Sequence, residues 1–194
     1  MKKTLLSLVL ALLTWTAQSQ TTWNVDPTHT AIKFSVSHLV ITEVEGQFNA
    51  FDGKVVTKTD DFSGADINFS IDVASINTNQ EKRDAHLKGD DFFNAEKYPK
   101  ITFEGKSFKK TGDRKYTLTG NLTIRDVTKP VTFDVTYAGK LKDPWGNMKA
   151  GFKATTSINR KDYKLMWSAA TETGTLVVSD EVAITVNLQL VQAQ

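Results

Sequence analysis

Tyr116-Thr117-Leu118-Thr119-Gly120-Asn121-Leu122-Thr123-Ile124 alternates without a break. Tyr116, Leu118, Gly120, Leu122 and Ile124 fall on one face, and Thr117, Thr119, Asn121 and Thr123 on the other. Successive side chains of a strand point to opposite faces, so a period of two marks a strand with one face in a core and one in water. The same pattern runs through Ile32, Phe34, Val36 and His38, and through Ala65, Ile67, Phe69, Ile71 and Val73. It returns at Val131, Phe133, Val135 and Tyr137, with Pro130 expected at the strand entrance, where a missing donor is tolerated. Met148, Ala150, Phe152, Ala154 and Ile158 repeat it, and Val182, Ile184, Val186, Leu188 and Leu190 close the chain. Shorter runs at Gly46–Phe51, Gly53–Thr57 and Ile101–Phe108 bring the expected strands to about eight or nine, antiparallel if the loops are short. Thr111-Gly112-Asp113-Arg114 and Asp143-Pro144-Trp145-Gly146-Asn147 supply turn chemistry.

One segment departs from the alternation. Thr78-Asn79-Gln80-Glu81 reads as a capping box and Gly89 as a helix stop. The spacing predicts a polar helix of about ten residues, in which only Ala85 and Leu87 are apolar. Such a helix has no apolar stripe with which to cover a sheet. The apolar strand faces must therefore meet one another, in a sandwich or in a barrel closed on itself, and closure also removes exposed strand edges. The helix is expected across a barrel mouth, with Phe92 and Phe93 just beyond it as apolar plugs. A barrel of about eight strands is either filled by its own side chains or holds one ligand. The inward residues Ala65, Gly120, Ala150 and Ala154 are small and stand beside Phe34, Phe69, Phe133 and Phe152, which suggests an apolar slot walled by aromatics. A packed core with the small residues interdigitating remains the alternative.

The sequence has 194 residues, 24 Lys and Arg, 22 Asp and Glu, three His and no Cys. This length suits one domain, and the composition is neither disordered nor fibrous. Without cysteine there is no disulfide framework, thiolate metal site or cysteine nucleophile. Lys2 and Lys3, the apolar run Leu5 to Leu13 and the small residues of Ala17-Gln18-Ser19 form the pattern of a cleaved export signal. Residues 1–19 are therefore expected to be a signal peptide and residues 20–194 a single exported domain, periplasmic or secreted. Without Lys2 and Lys3 the chain carries 22 basic and 22 acidic residues, so nothing suggests a nucleic-acid partner.

The ordered motifs Asp26-Pro27-Thr28-His29-Thr30, Phe34-Ser35-Val36-Ser37-His38-Leu39, Gly46-Gln47-Phe48 and Phe51-Asp52-Gly53 resemble the opening of the YceI-like family. Thr78, Arg83-Asp84-Ala85-His86-Leu87, Asp91-Phe92-Phe93, Tyr98-Pro99 and Ile101-Thr102-Phe103 continue the match. Gly120-Asn121-Leu122-Thr123-Ile124, Thr128-Lys129-Pro130, Gly151-Phe152, Ile158-Asn159-Arg160 and Asp180-Glu181-Val182 complete it. The chain departs from the pattern at Thr30, where the family usually has Ser, and at Asp162-Tyr163-Lys164, in place of Asp-Phe-Gly. The resemblance implies an all-β, lipocalin-like antiparallel eight-stranded barrel, with one short helix near its mouth. It also implies an exported homodimer that binds a polyisoprenoid or similar long-chain lipid in an apolar tunnel, with no other cofactor. The expected tunnel residues are Phe34, Val36, His38, Phe69, Ile71, Phe92, Phe93, Leu118, Leu122, Phe133, Val135 and Phe152.

Several polar residues admit two readings. His38 shares the apolar face and either meets a ligand head group or is a buried histidine satisfied by a backbone carbonyl. Arg83 and His86 are candidates for head-group or lid contacts. Arg83 and Asp84, one residue apart, face different directions and are expected to pin the helix to a loop. Asn159-Arg160-Lys161-Asp162 is expected to form a structural turn. His29, His38 and His86 lack metal-ligand spacing, and no nucleophile elbow, zinc-protease, phosphate-loop or dinucleotide motif is present, so neither a metal nor catalysis is expected. Two other classes stay open: a small outer-membrane barrel, because alternation does not say which face points inward, and an isomerase or hydrolase of a bound lipid. In the carrier reading, the protein makes transient membrane contact to exchange its ligand.

Overall fold

The computed structural model describes residues 20–193, so the expected signal peptide lies outside the described residues. The strands are β1 (Thr21–Val25), β2 (Ala31–His38), β3 (Thr42–Phe48), β4 (Phe51–Thr57), β5 (Asp66–Asp72), β6 (Ile76–Asn77), β7 (Lys100–Gly112), β8 (Lys115–Ile124), β9 (Val127–Lys142), β10 (Met148–Asn159) and β11 (Glu181–Gln192). Their order β1-β4-β5-β7-β8-β9-β10-β11 returns to β1, which closes an antiparallel barrel of eight strands. β2, β3 and β6 extend the wall beyond this ring at one end, with β2 on β11, β3 on β2 and β6 on β3. The alternation of β8 is reproduced residue by residue: Tyr116, Leu118, Gly120, Leu122 and Ile124 are buried.

The expected eight or so strands become eleven segments because three ribbons are broken, the third between β5 and β6 by a 3₁₀ turn at Val73–Ser75. β11 pairs with β1 through Leu190–Gln192 and with β2 through Ala183–Asn187, so β1 and β2 succeed one another along one edge. β3 and β4 follow each other in the same way, interrupted at Asn49-Ala50. Pro130 lies inside β9, opposite Asn121, rather than at its entrance. On the other side of β9 the ladder to β10 begins only at Asp134, so Pro130 occupies a locally free edge where no donor is needed.

Lys33, Asp66, Glu104, Lys106, Asp134 and Lys153 are exposed on the outer wall, while the interior is apolar. A transmembrane barrel has the opposite arrangement, an apolar outer band and a polar lumen. The outer-membrane reading is therefore overturned. Among the described residues no helix is long and apolar enough to cross a membrane.

The first break is held by the Asp-Pro-Thr-His motif. Pro27 has no N–H to offer β11, and Asp26 gathers the surrounding donors instead. Its carboxylate accepts from Thr28 Oγ1 at 2.6 Å, Lys149 Nζ at 3.1 Å and Gln189 Nε2 at 2.9 Å, with His29 Nδ1 at 3.0 Å. Thr30 Oγ1 accepts from the Gln189 N–H, a bond that the serine usual at this position would also make. Burial raises the Asp26 pKa, but the hydrogen bonds from Thr28, Lys149, His29 and Gln189 outweigh it and hold the carboxyl well below the usual carboxylate range. A carboxylate with a lowered folded-state pKa stabilises the fold above its unfolded-state pKa, and loses that contribution as the pH falls through the lowered value. Asp26→Asn should therefore destabilise the protein at neutral pH and flatten the acid limb of its stability curve. Thermal melts between neutral and strongly acidic pH check this, and an unchanged acid limb would contradict it.

Candidate functional site

One end of the barrel is sealed by a ring with no counterpart in the strand pattern. Phe62, in the loop between β4 and β5, is 1% exposed and adopts a left-handed φ of 62°. Its ring lies 5.2 Å from Trp23, 5.1 Å from Phe152 and 5.9 Å from Tyr137, centroid to centroid, within the range of favourable aromatic pairs. Tyr116 donates from its hydroxyl to the Asp61 carbonyl at 2.6 Å and ties down the same loop.

Above Phe62 the interior is not filled. A cavity of about 560 Å³ runs from Phe62 to the opposite end, and the structure places every residue expected in the tunnel on its wall. Phe34, Val36, His38, Phe69, Ile71, Leu118, Leu122, Phe133, Val135 and Phe152 line it from the strands, and Phe92 and Phe93 from the segment after the helix. The small residues act differently from expectation, since of Ala65, Gly120, Ala150 and Ala154 only Ala154 lines the cavity. A Cβ on Gly120 would overlap the Phe103 ring, and one on Gly46 would overlap the ring of its cross-strand partner Phe34. These glycines let phenylalanine rings lie flat against the wall, and so leave the centre of the barrel open.

The other end is the mouth. Helix α1 (Glu81–Lys88) lies here and contributes Lys82, Arg83, His86 and Leu87 to the cavity. The expected capping box is not formed. Gln80 is the N-cap and accepts from the Arg83 N–H at 2.6 Å. Thr78 instead donates from Oγ1 to Asp84 Oδ1 at 2.5 Å, while Arg83 donates from Nε to Thr78 Oγ1 and from Nη2 to the Thr78 carbonyl, both at 2.7 Å. Arg83 and Asp84 thus fasten the helix to the preceding loop as expected, but they converge on the one residue Thr78 instead of facing different directions. Thr78 misleads because its hydroxyl faces two charged partners, and hydrogen bonds to charged groups outcompete a neutral cap.

His86 contacts Asp91 Oδ2 at 3.0 Å and stands edge-on to Phe92 and Trp167. His38 is half-buried on the cavity wall, and its ring makes no hydrogen bond to another described residue, so the reading with a carbonyl partner is not realised. Arg125 Nη1 donates to the carbonyls of Phe92 and Lys164 at 3.0 and 3.1 Å, and so joins the post-helix segment to the segment after β10.

That second segment, residues 164–180, follows the turn expected at Asn159-Arg160-Lys161-Asp162, observed as a 3₁₀ turn over Arg160–Tyr163 with Asn159 as its N-cap. Burial lowers the Arg160 pKa and the Asp180 charge raises it. Tyr163, where the family pattern has Phe, is fully buried, and burial followed by the Asp162 charge pushes its phenol up to about 12. Leu165, Trp167, Val177 and Val178 of this segment line the cavity. They and Phe62 escape a reading by periodicity because irregular backbone imposes no period. The available signal was an apolar residue inside a polar loop, as in Asp60-Asp61-Phe62-Ser63-Gly64. Among the described residues no three His, Cys, Asp or Glu side chains are grouped so as to hold a metal ion.

The YceI-like domain description matches residues 23–190 of this chain. A UPF0312 protein of Yersinia pestis is 40% identical over 167 residues, which cover 84% of this chain and 86% of that protein. The crystal structure of the Campylobacter jejuni YCEI protein superposes with a TM-score of 0.70 at 33% identity, covering 81% of this chain and 90% of that one. A polyisoprenoid binding domain from Saccharophagus degradans, 16% identical with a TM-score of 0.61, covers 88% of this chain and 98% of its own and shares the fold. With one barrel, one set of ordered motifs and this span of similarity, the chain belongs to the YceI-like family.

Proposed function

We propose that this protein is an exported binding protein that holds a polyisoprenoid or other long-chain amphiphilic lipid in its barrel, as a reversible carrier or reservoir rather than an enzyme. The carrying observation is the apolar cavity of about 560 Å³, sealed by Phe62 at one end and reached past α1 at the other. That volume falls inside the range of about 300–1,000 Å³ typical of small-molecule sites. The polyisoprenoid binding described for the Saccharophagus domain supports the ligand class. Export is supported by Lys2, Lys3 and the apolar run Leu5 to Leu13.

Burying hydrocarbon gains about 0.8 kcal/mol per CH₂ relative to water. A bilayer provides the same burial, so transfer from membrane to barrel is near balance and is decided by head-group contacts and fit. Transient membrane contact fits the mouth. Val40 and Ile41, at the tip of the β2–β3 hairpin, are 77% and 83% exposed, beside the cavity residues Val177 and Val178. Val40 holds a left-handed φ of 64°, costly for a β-branched residue and unneeded for packing. Loaded protein mixed with lipid vesicles should lose ligand to a partition set by the vesicle amount. Ligand that stays quantitatively bound in large vesicle excess would replace the carrier by a protein with a fixed lipid.

A further inference from the structure

We propose that the mouth of the cavity selects amphiphiles with an anionic head group, a phosphate or carboxylate held by Lys82 and Arg83; this rests on the lipid-binding reading above. Every acidic or basic residue bordering the cavity is basic: Lys33, from the outward face of β2, and His38, Lys82, Arg83, His86 and Arg160. Residues 20–194 carry 22 basic and 22 acidic residues, so the bias belongs to the site and not to the composition. Arg160 is matched by Asp180 and His86 by Asp91, and Lys33 is exposed on the barrel wall. Lys82 and Arg83 have no carboxylate partner among the described residues. Of the two acids adjacent in sequence, Glu81 pairs with neither cation, and Asp84 gives its Oδ1 to the Thr78 N–H and hydroxyl. Arg83 spends Nε and Nη2 on the neutral Thr78, and its Nη1 is without a partner among the described residues.

Helix stability does not explain these cations. Both lie in the first turn of α1, where the helix dipole favours negative charge and disfavours positive charge. An anionic oxygen placed at the mouth would be favoured by both side chains, through charge-assisted bonds to the ammonium and to the remaining arm of the guanidinium. The rest of the wall is apolar and accepts only a hydrocarbon tail, so the fitting ligand is an acidic lipid and not a free ion.

Calorimetric titration of the full mature protein with farnesyl phosphate, farnesol and inorganic phosphate tests this. Farnesyl phosphate should bind about tenfold or more tightly than farnesol, about 1.4 kcal/mol, and the ratio should shrink as salt is raised. Inorganic phosphate should show no binding at the same concentrations. Lys82→Glu should abolish the preference, and Arg83→Gln should reduce it. The Lys82 side chain makes no hydrogen bond among the described residues, so its variant stays informative even if Arg83→Gln loosens the helix. Equal affinity for the two lipids, or a preference surviving in Lys82→Glu, overturns the head-group assignment alone. Inorganic phosphate binding as tightly as farnesyl phosphate overturns the role of the tail. If neither lipid binds, the lipid-binding reading itself falls, and the head-group assignment with it.

Discussion

Arg160→Met should lower the unfolding free energy by about 3–5 kcal/mol, the scale for removing one partner of a buried charge network. Arg160 is 3% exposed, and its guanidinium donates from Nε to the Ser179 carbonyl at 2.9 Å, from Nη1 to the carbonyls of Leu165 and Trp167 at 2.7 and 2.6 Å, and from Nη2 to Asp180 at 3.1 Å. Met fills similar space and supplies no donor, so these acceptors are left with their desolvation cost and no bond. The Leu165 and Trp167 carbonyls belong to the segment that carries cavity-lining side chains, so lipid retention should fall together with stability. Arg160→Lys should recover only part of the loss, because a single ammonium cannot reproduce the planar fork. Urea denaturation followed by tryptophan fluorescence gives the midpoint, and a constant m-value shows that stability and not compactness has changed. An unfolding free energy within about 1 kcal/mol of wild type would mean that the Leu39–Val177 and Ser37–Ser179 backbone bonds hold the segment unaided.

The barrel was legible because its information is local and periodic. β8 alternates so strictly that each apolar residue could be assigned inward before any partner strand was known. The wall of the cavity followed from the same pattern, which is why residues as distant as Phe34 and Phe152 meet around one space. Whether that space was filled was not legible. The outcome depends on cross-strand pairs such as Phe34 with Gly46, and a partner's identity is known only once register is fixed. The helix cap failed for a related reason. Thr78 satisfies the local signature, but its hydroxyl lies between Asp84 and Arg83, and that competition appears only in three dimensions. The segment 164–180 was opaque because the side chain that orders it, Arg160, acts through carbonyls, which every residue has.

Phe62→Ala should be the costliest apolar truncation in the molecule, at about 3–5 kcal/mol. The ring is enclosed by Trp23, Tyr137, Phe152 and its own loop on every side but the one that ends the cavity, so most of the lost contacts are protein contacts. Phe34→Ala should cost clearly less in the empty protein. That ring is half-buried, with Gly46 behind it, Phe48 at 5.8 Å and the cavity on its free side. Atoms facing a void have no partners there to lose. Lipid should widen one gap and not the other. A ligand in the cavity stabilises the folded state in proportion to the logarithm of its concentration over Kd. Phe34→Ala should then forfeit part of this gain, because the missing ring was ligand-facing wall. Phe62→Ala should keep the gain wherever the variant remains folded, because Phe62 bounds only the far end. Melting each variant with and without lipid separates the two roles. Equal losses at both positions in the empty protein would show that the barrel closes around Phe34 in solution, leaving no preformed space for a lipid to enter.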